Sequence, residues 1–108
     1  MEIADLSVRR FAADKLQKLN LFETPRCFAD VYCLEAGQEQ APHAHEGADK
    51  LYVVLEGRAL VRVGEEEREL RPQQAALAPS GQAHGVRNPG PERLTLLVFM
   101  ARDAGPAS

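Results

Sequence analysis

Two short stretches decide the fold of this 108-residue chain, and together they hold all three of its histidines. The first, residues 37–57, reads GQEQAPHAHEGADKLYVVLEG, and the second, residues 79–88, reads PSGQAHGVRN. In an extended strand, residues two apart point to the same face, so His43 and His45 are expected to present two imidazoles side by side. A third imidazole converging on the same point, that of His84, completes a metal-binding set with open positions for water or substrate.

Around these stretches the sequence is typical of an all-β protein. Seven segments rich in Val, Leu, Tyr and Phe are predicted to be strands, separated by turns that contain Gly or Pro. They are residues 27–35, 50–55, 58–63, 67–70, 75–78, 84–87 and 93–101. One helix is predicted over residues 12–20, where Leu16 and Leu19 lie three apart. So many short strands predict a two-sheet sandwich or barrel.

The two stretches resemble the signature motifs of the cupin superfamily, and together the motifs span about half of the chain. The matched positions are Gly37, His43, His45 and Gly57 in the first motif, and Pro79, Gly81, His84 and Asn88 in the second. The resemblance implies a small double-stranded β-helix, or jelly-roll barrel, over residues 27–102. Residues 1–26 are then an N-terminal extension that packs on the barrel or on a dimer partner, and residues 103–108 are a flexible tail.

The glutamate of the first family motif is replaced in this chain. Counting back from Gly57 places Lys50 at the glutamate position, whereas counting forward from His45 places Asp49 there. Strand pairing holds residues 50–57 in register, while the loop before them can absorb an insertion, which favours Lys50. Lys50 is therefore expected to point into the barrel and Asp49 away from it.

The resemblance implies a divalent transition metal, one of Fe, Mn, Ni or Zn. Its ligands are then His43, His45 and His84. Lys50, Tyr52 and Val54 are expected to line a substrate pocket, and Lys50 is the candidate catalytic residue, as an anchor for an anionic group or as a general base. Lys50 forming an ion pair at the barrel mouth is the alternative role. Gln38 and Gln40, just before the first histidine, are interpreted as a surface loop.

Two functions follow from this site. The first is a metal-dependent enzyme of the oxygenase or isomerase type that acts on a small, anionic molecule. The second is a non-catalytic small-molecule or metal-binding sensor whose pocket is closed by Lys50. Without a metal, the pocket would recognise a carboxylate or a sugar acid directly through Lys50 and the imidazoles.

Composition excludes several other classes of protein. There are 13 Lys+Arg against 16 Asp+Glu and no basic cluster, so neither nucleic acid nor an anionic membrane is an expected partner. No apolar run approaches the ~20 residues of a membrane-spanning helix. The acidic N-terminus is unlike a signal peptide, and Cys27 and Cys33, six apart on one predicted strand, are too far separated to pair. A cytoplasmic location is predicted.

The strands predicted over residues 50–55 and 93–101 are apolar on both faces. One face of each strand fills the barrel, so the other must be covered as well. The N-terminal segment, a second subunit or both are expected to cover it, and a homodimer is the predicted assembly.

Overall fold

The structure, a computed structural model, describes residues 1–103 and consists of two antiparallel β-sheets. Its nine strands are β1 (Gln17–Glu23), β2 (Cys27–Leu34), β3 (Glu39–His43), β4 (Ala48–Glu56), β5 (Ala59–Val63), β6 (Glu66–Leu70), β7 (Ala75–Ala78), β8 (His84–Arg87) and β9 (Leu94–Arg102). One sheet has the order β1-β2-β9-β4-β7 and the other the order β3-β8-β5-β6. The predicted all-β jelly-roll architecture is confirmed.

All seven predicted strands are present, but the predicted helix over residues 12–20 is wrong. Residues from Gln17 onward form β1, which pairs with β2 at the edge of the five-stranded sheet. Leu16 packs against the core, whereas Leu19 lies opposite Val31 on the outer face. The two leucines therefore face opposite sides of a sheet instead of marking one side of a helix.

The inner face of the five-stranded sheet carries the core. On β4 the inward residues Lys50, Tyr52 and Val54 are all at most 2 % exposed, as the strand register predicts. The core cluster continues across the barrel. Its members are Tyr32, Leu34, Tyr52, Val54, Ala59, Val61, Leu70, Val86, Leu94, Leu96 and Val98. A lysine buried among these apolar and aromatic side chains is the exceptional member of the interior.

The segment before β1 covers part of the outer face of the same sheet. The backbone N–H of Arg10 lies 3.5 Å from the Sγ of Cys33, which is fully buried on that face. The Gln38 side chain donates to the Ala12 carbonyl at 2.6 Å and so fixes this segment to the barrel. The guanidinium of Arg9 pairs with Glu56 at the end of β4.

The remainder of the outer face is apolar and partly exposed. Leu77 and Phe99 are 58 % and 37 % exposed, and both lie opposite Leu51 in the strand register. No helix in residues 1–103 is long and apolar enough to cross a membrane. The flexible tail predicted for residues 103–108 lies outside the described residues except for Asp103, whose backbone N–H donates to the Gly47 carbonyl at 3.1 Å.

Candidate metal centre

The pairing of β3 with β8 brings the three histidines together. His43 lies directly opposite His84 in the register, and their ring centroids are 4.8 Å apart. His45 follows the end of β3, with its ring 4.6 Å from that of His43 and 5.6 Å from that of His84. The strand ends at His43 after a register shift, so the two imidazoles converge at an irregular edge and not by alternation along one extended strand through His45.

Gly85 allows β3 to approach β8 closely at this irregularity. A Cβ at Gly85 would lie 2.6 Å from the carbonyl oxygen of Gln40 and 2.9 Å from the nitrogen of Pro42, both backbone atoms. Only glycine fits such an approach without moving a strand. Because Gly85 follows His84, this close packing sets the separation between His84 and His43.

Two of the imidazoles are oriented by backbone carbonyls. The Nδ1 of His43 lies 2.9 Å from the Ala41 carbonyl oxygen, and the Nδ1 of His84 lies 3.0 Å from that of Gln82. A carbonyl only accepts hydrogen bonds, so each Nδ1 is the donor, and in a neutral imidazole the Nε2 is then the nitrogen that binds a ligand. The Nε2 of His84 is buried and has no hydrogen-bond partner within the described residues.

The three histidines fit a divalent transition metal. One nitrogen from each imidazole lies within 4.8 Å of the others. With metal–nitrogen bonds of about 2 Å, ligand nitrogens stand roughly 3 Å apart, so small side-chain rotations suffice to close the set. Metal binding would also satisfy the buried Nε2 of His84, which otherwise loses its hydrogen bond to water without compensation.

The surroundings keep two of the imidazoles neutral. Burial is the main cause that lowers the pKa of His84, and the nearby Lys50 and the other two histidines lower it further. Partial burial also lowers the pKa of His45, followed by the effects of His43, Lys50 and Lys18. Neutral imidazole is the form that binds a metal, so these shifts favour ligation at neutral pH.

Lys50 lies inside the barrel beside this centre, as the strand register predicts. Its Nζ donates a 2.9 Å hydrogen bond to the Oε1 of Gln40, and it lies 5.5 Å and 5.1 Å from the ring centroids of Tyr32 and Tyr52. Aromatic rings attract a cation without neutralising it. Asp49, in contrast, is exposed, and its Oδ1 accepts the backbone N–H of Ser80 at 2.9 Å.

Burial changes the proton affinity of the polar groups in the barrel. It lowers the pKa of Lys50 to about 8, and the neighbouring Lys18 acts in the same direction, while Asp30 partly opposes the shift. Burial also raises the pKa of Tyr32 to about 12 and raises that of Tyr52. The tyrosines therefore stay protonated, with Tyr52 donating to the Gln40 Oε1 and Tyr32 accepting from the Gln40 Nε2. A minor fraction of Lys50 is neutral at pH 7.

A cavity of about 640 Å³ opens onto the centre. It is bordered by Lys18, Phe28, Tyr32, Gln40, His43, His45, Glu46, Gly47, Ala48, Lys50, Met100, Arg102 and Asp103. This volume suits a small molecule. Of the predicted pocket residues, Lys50 borders the cavity and Tyr52 reaches the Gln40 that borders it, with 3.4 Å between its hydroxyl and the Gln40 Oε1.

Val54 differs from the prediction that it lines the pocket. It lies two residues beyond Tyr52 on β4, opposite Leu96, and belongs to the core cluster, so it is not among the described residues that border the cavity. Gln40 is the residue that sequence reasoning missed, because it was interpreted as part of a surface loop. It lies on β3 opposite the buried Val86, and this pairing directs its side chain inward.

Comparison with known protein families identifies the family of this chain. The family profile described as "Cupin domain" matches residues 30–100, a region that contains all three histidines and Lys50. The chain belongs to the cupin family. Its barrel is the cupin barrel, and the three histidines lie within the matched region.

Several solved and curated proteins are similar to this cupin. TT1209 from Thermus thermophilus is 48% identical, with a TM-score of 0.91 over 94% of this chain and 98% of that one. A Klebsiella pneumoniae protein with a double-stranded beta-helix domain is 26% identical, with a TM-score of 0.85 over 93% and 84% of the two chains. The uncharacterized protein SCO3923 from Streptomyces coelicolor is 34% identical over 64% of this chain and 65% of its own length.

Proposed function

We propose that this cupin is a metal-dependent enzyme of the oxygenase or isomerase type, with His43, His45 and His84 as ligands and a small anionic molecule as substrate. The observation that carries the proposal is the convergence of the three imidazoles, two of them oriented through Nδ1. A divalent Fe, Mn, Ni or Zn ion held there would supply Lewis acidity, and iron or manganese would add redox chemistry.

The residues of the chain around the centre are suited to bind and orient an anion. Lys50 supplies a positive charge at the inner end of the cavity, and the Gln40 amide fixes the position of its ammonium group. The ring of Tyr32 forms part of the cavity wall and limits access of water to Lys50. In its minor neutral form, Lys50 is able to accept a proton from a bound substrate, which gives it a role as general base.

Metal analysis of untagged protein tests the proposal. Purified protein is expected to contain close to one Fe, Mn, Ni or Zn per chain, and His43→Ala and His84→Ala are expected to lose it. Arg87→Ala is the matched control, because Arg87 is exposed on the same strand as His84. Wild-type protein that is metal-free and indifferent to added metal contradicts the proposal.

Turnover separates this enzyme from a second candidate function, a binding or sensor protein. The second candidate is favoured by Lys50, which is 2 % exposed and occupies the barrel interior. Iron-loaded protein is incubated with small carboxylates under oxygen, and the products are separated by liquid chromatography and identified by mass spectrometry. Products that gain oxygen atoms, or isomers of unchanged mass, support the enzyme. Ligand binding without any product supports the sensor.

We also propose that the protein is a homodimer formed through the uncovered part of the outer face. Leu51, Leu77 and Phe99 form a neighbouring apolar group there, continuous with the part that the N-terminal segment covers. An uncharged apolar patch of this kind is suited to contact a second copy of itself. A dimer by sedimentation that dissociates in Phe99→Glu supports the proposal, and a wild-type monomer at micromolar concentration contradicts it.

A reducing compartment such as the cytoplasm is the proposed location. Cys27 and Cys33 are free thiols, the state expected of structural cysteines in such a compartment. Immunolocalisation of the native protein in fractionated cells tests it, and recovery outside the cytoplasm contradicts it.

A further inference from the structure

Two lysines from distant strands approach the ring of Tyr32 at the cavity. Lys18 is on β1 and Lys50 on β4, which stand three strands apart in the five-stranded sheet. Their ammonium groups nevertheless lie 5.2 Å and 5.5 Å from the centroid of the same ring, that of Tyr32. Both lysines border the cavity. Lys18 is exposed and acts on the buried Lys50 as a like charge, and an anion bound between the two would relieve this repulsion.

No carboxylate in residues 1–103 forms an ion pair with either lysine, since the five ion pairs found there are all made by arginines. Asp30 is the acidic group that acts on Lys50 at longer range, and its Oδ1 accepts the side-chain amide of Asn20 at 2.8 Å. Two lysines against one carboxylate leave a surplus positive charge. A divalent metal on neutral histidines would increase it further.

Two acidic residues, Glu46 and Asp103, also border the cavity and partly offset this positive charge. The carboxylates of Glu46 and Asp103 lie beside Gly81 and Gly47, on the loops that form the rim. Arg102 is held by Glu23 at 3.0 Å. The negative charges therefore lie on the loops at the rim of the cavity, and the positive charges of the two lysines lie beside the ring of Tyr32.

We propose that Lys18 and Lys50 together bind a small dicarboxylate, with one carboxylate beside Lys50 and the histidines and the other at Lys18. The proposal rests on the proposed function, because it takes the three-histidine cavity as the substrate site. The two ammonium groups are on different strands, so they suit a ligand with two separated carboxylates better than a compact anion such as phosphate. Lys18 is thereby a residue that determines specificity at the mouth of the cavity.

Calorimetric titration of the full-length protein tests this proposal with matched probes. Succinate and butyrate have the same number of carbon atoms and differ in one carboxylate, and inorganic phosphate serves as the compact anion. We expect succinate to bind at least about tenfold more tightly than butyrate. Lys18→Gln is expected to remove this preference while leaving butyrate binding within about twofold, because the ammonium group near the second carboxylate is lost.

Lys15→Gln is the matched control, since Lys15 is exposed on the same segment and is not among the residues that border the cavity. It is expected to keep the preference for succinate. Equal binding of succinate and butyrate, a preference that survives Lys18→Gln, or tighter binding of phosphate than of succinate each overturns the proposal.

Titrations of metal-loaded and metal-free protein, with the metal content measured separately, distinguish this proposal from the proposed function. Metal uptake without a preference for succinate overturns the role of the lysine pair and leaves the metal centre standing. A preference for succinate that depends on Lys18, in protein that takes up no metal, supports the lysine pair and contradicts the proposed enzyme.

Discussion

The ammonium group of Lys50 donates a 2.9 Å hydrogen bond to the side-chain oxygen of Gln40 and so connects the two sheets through the barrel interior. Lys50 belongs to β4 in one sheet and Gln40 to β3 in the other. The same amide lies 3.4 Å and 3.5 Å from the hydroxyl oxygens of Tyr52 and Tyr32. The direct hydrogen-bond partner of this buried cation is thus a neutral group on β3, the strand that also carries the first histidine.

The hydrogen bond between Lys50 and Gln40 is expected to contribute measurably to stability. A double-mutant cycle of Lys50→Met, Gln40→Leu and the double variant, measured by urea denaturation, should give a coupling free energy of about 1.5 kcal/mol or more, since the bond is charge-assisted and buried. Gln40→Leu alone should cost the most, because it leaves the ammonium group without that acceptor. Additive effects of the two substitutions would show that the hydrogen bond contributes nothing.

The burial of Lys50 predicts how stability depends on alkaline pH. Its folded pKa is lowered to about 8 from the ordinary 10.5. Below pH 8 the group is charged in both states, and folding carries the full desolvation cost. Between pH 8 and 10.5 the unfolded chain binds more protons than the folded one, so the free energy of unfolding rises with pH.

Comparison with Lys50→Met isolates this effect from other groups that titrate at high pH. Between pH 7 and 9.5, the free energy of unfolding of the wild type should rise by roughly 2 kcal/mol relative to that of the variant. The range ends there because Tyr32, with a pKa raised to about 12, makes the folded state less stable with increasing pH above 10. Parallel pH profiles of the two proteins would mean that Lys50 is not desolvated as the structure indicates.

Restoring a glutamate at position 50 should strengthen metal binding. Lys50→Glu replaces a cation beside the three histidines with a carboxylate, which removes repulsion and supplies a further ligand type for a transition metal. We expect the affinity for Zn or Ni, measured by competition with a chromogenic chelator, to increase at least about tenfold. Lys50→Gln should give a smaller gain, because it removes the charge without supplying a carboxylate.

Asp49→Asn is the control for this experiment, because Asp49 is exposed and faces away from the centre. It should leave the metal affinity unchanged. An unchanged affinity in Lys50→Glu together with a loss in Asp49→Asn would instead assign the glutamate position to Asp49.

The sequence predicted those strands whose residue pattern along the chain agrees with their position in the sheets. The missed strand β3 contains Pro42 and is polar, which argues against a central strand, but it lies at the edge of its sheet, where proline is tolerated. Strand β1 was missed because the spacing of Leu16 and Leu19 resembles one face of a helix. In both cases the neighbouring strand determines the structure, and single-sequence periodicity contains no information on that neighbour.

The candidate site was predicted only in part, because some of its residues meet through strands that are far apart in the sequence. Fixed spacing identified the three histidines and the inward direction of Lys50, since these depend on motif and strand register. The roles of Gln40 and Lys18 depend on contacts between strands far apart in the sequence. Gln40 reaches Lys50 across the barrel, and Lys18 reaches the ring of Tyr32 from the edge strand. Neither contact has a signature in the residues near it along the chain.

Gly85 is expected to control the metal centre through backbone packing alone. In Gly85→Ala the new methyl group meets the backbone of Gln40 and Pro42, so β3 must move away from β8. His43 moves with β3, whereas His84 stays on β8, and the two imidazoles separate. We expect the metal affinity to fall at least about tenfold and the free energy of unfolding to drop by about 1–3 kcal/mol, the range for overpacking in a filled interior.

Ala83→Gly provides the comparison, because Ala83 is exposed and lies just before the same strand. It should leave the metal affinity within about twofold of wild type, which separates a general effect on β8 from the specific displacement of β3. Gly85→Ala protein that binds metal as tightly as wild type would show that β3 tolerates the shift, and that the separation of His43 and His84 is not set by this contact.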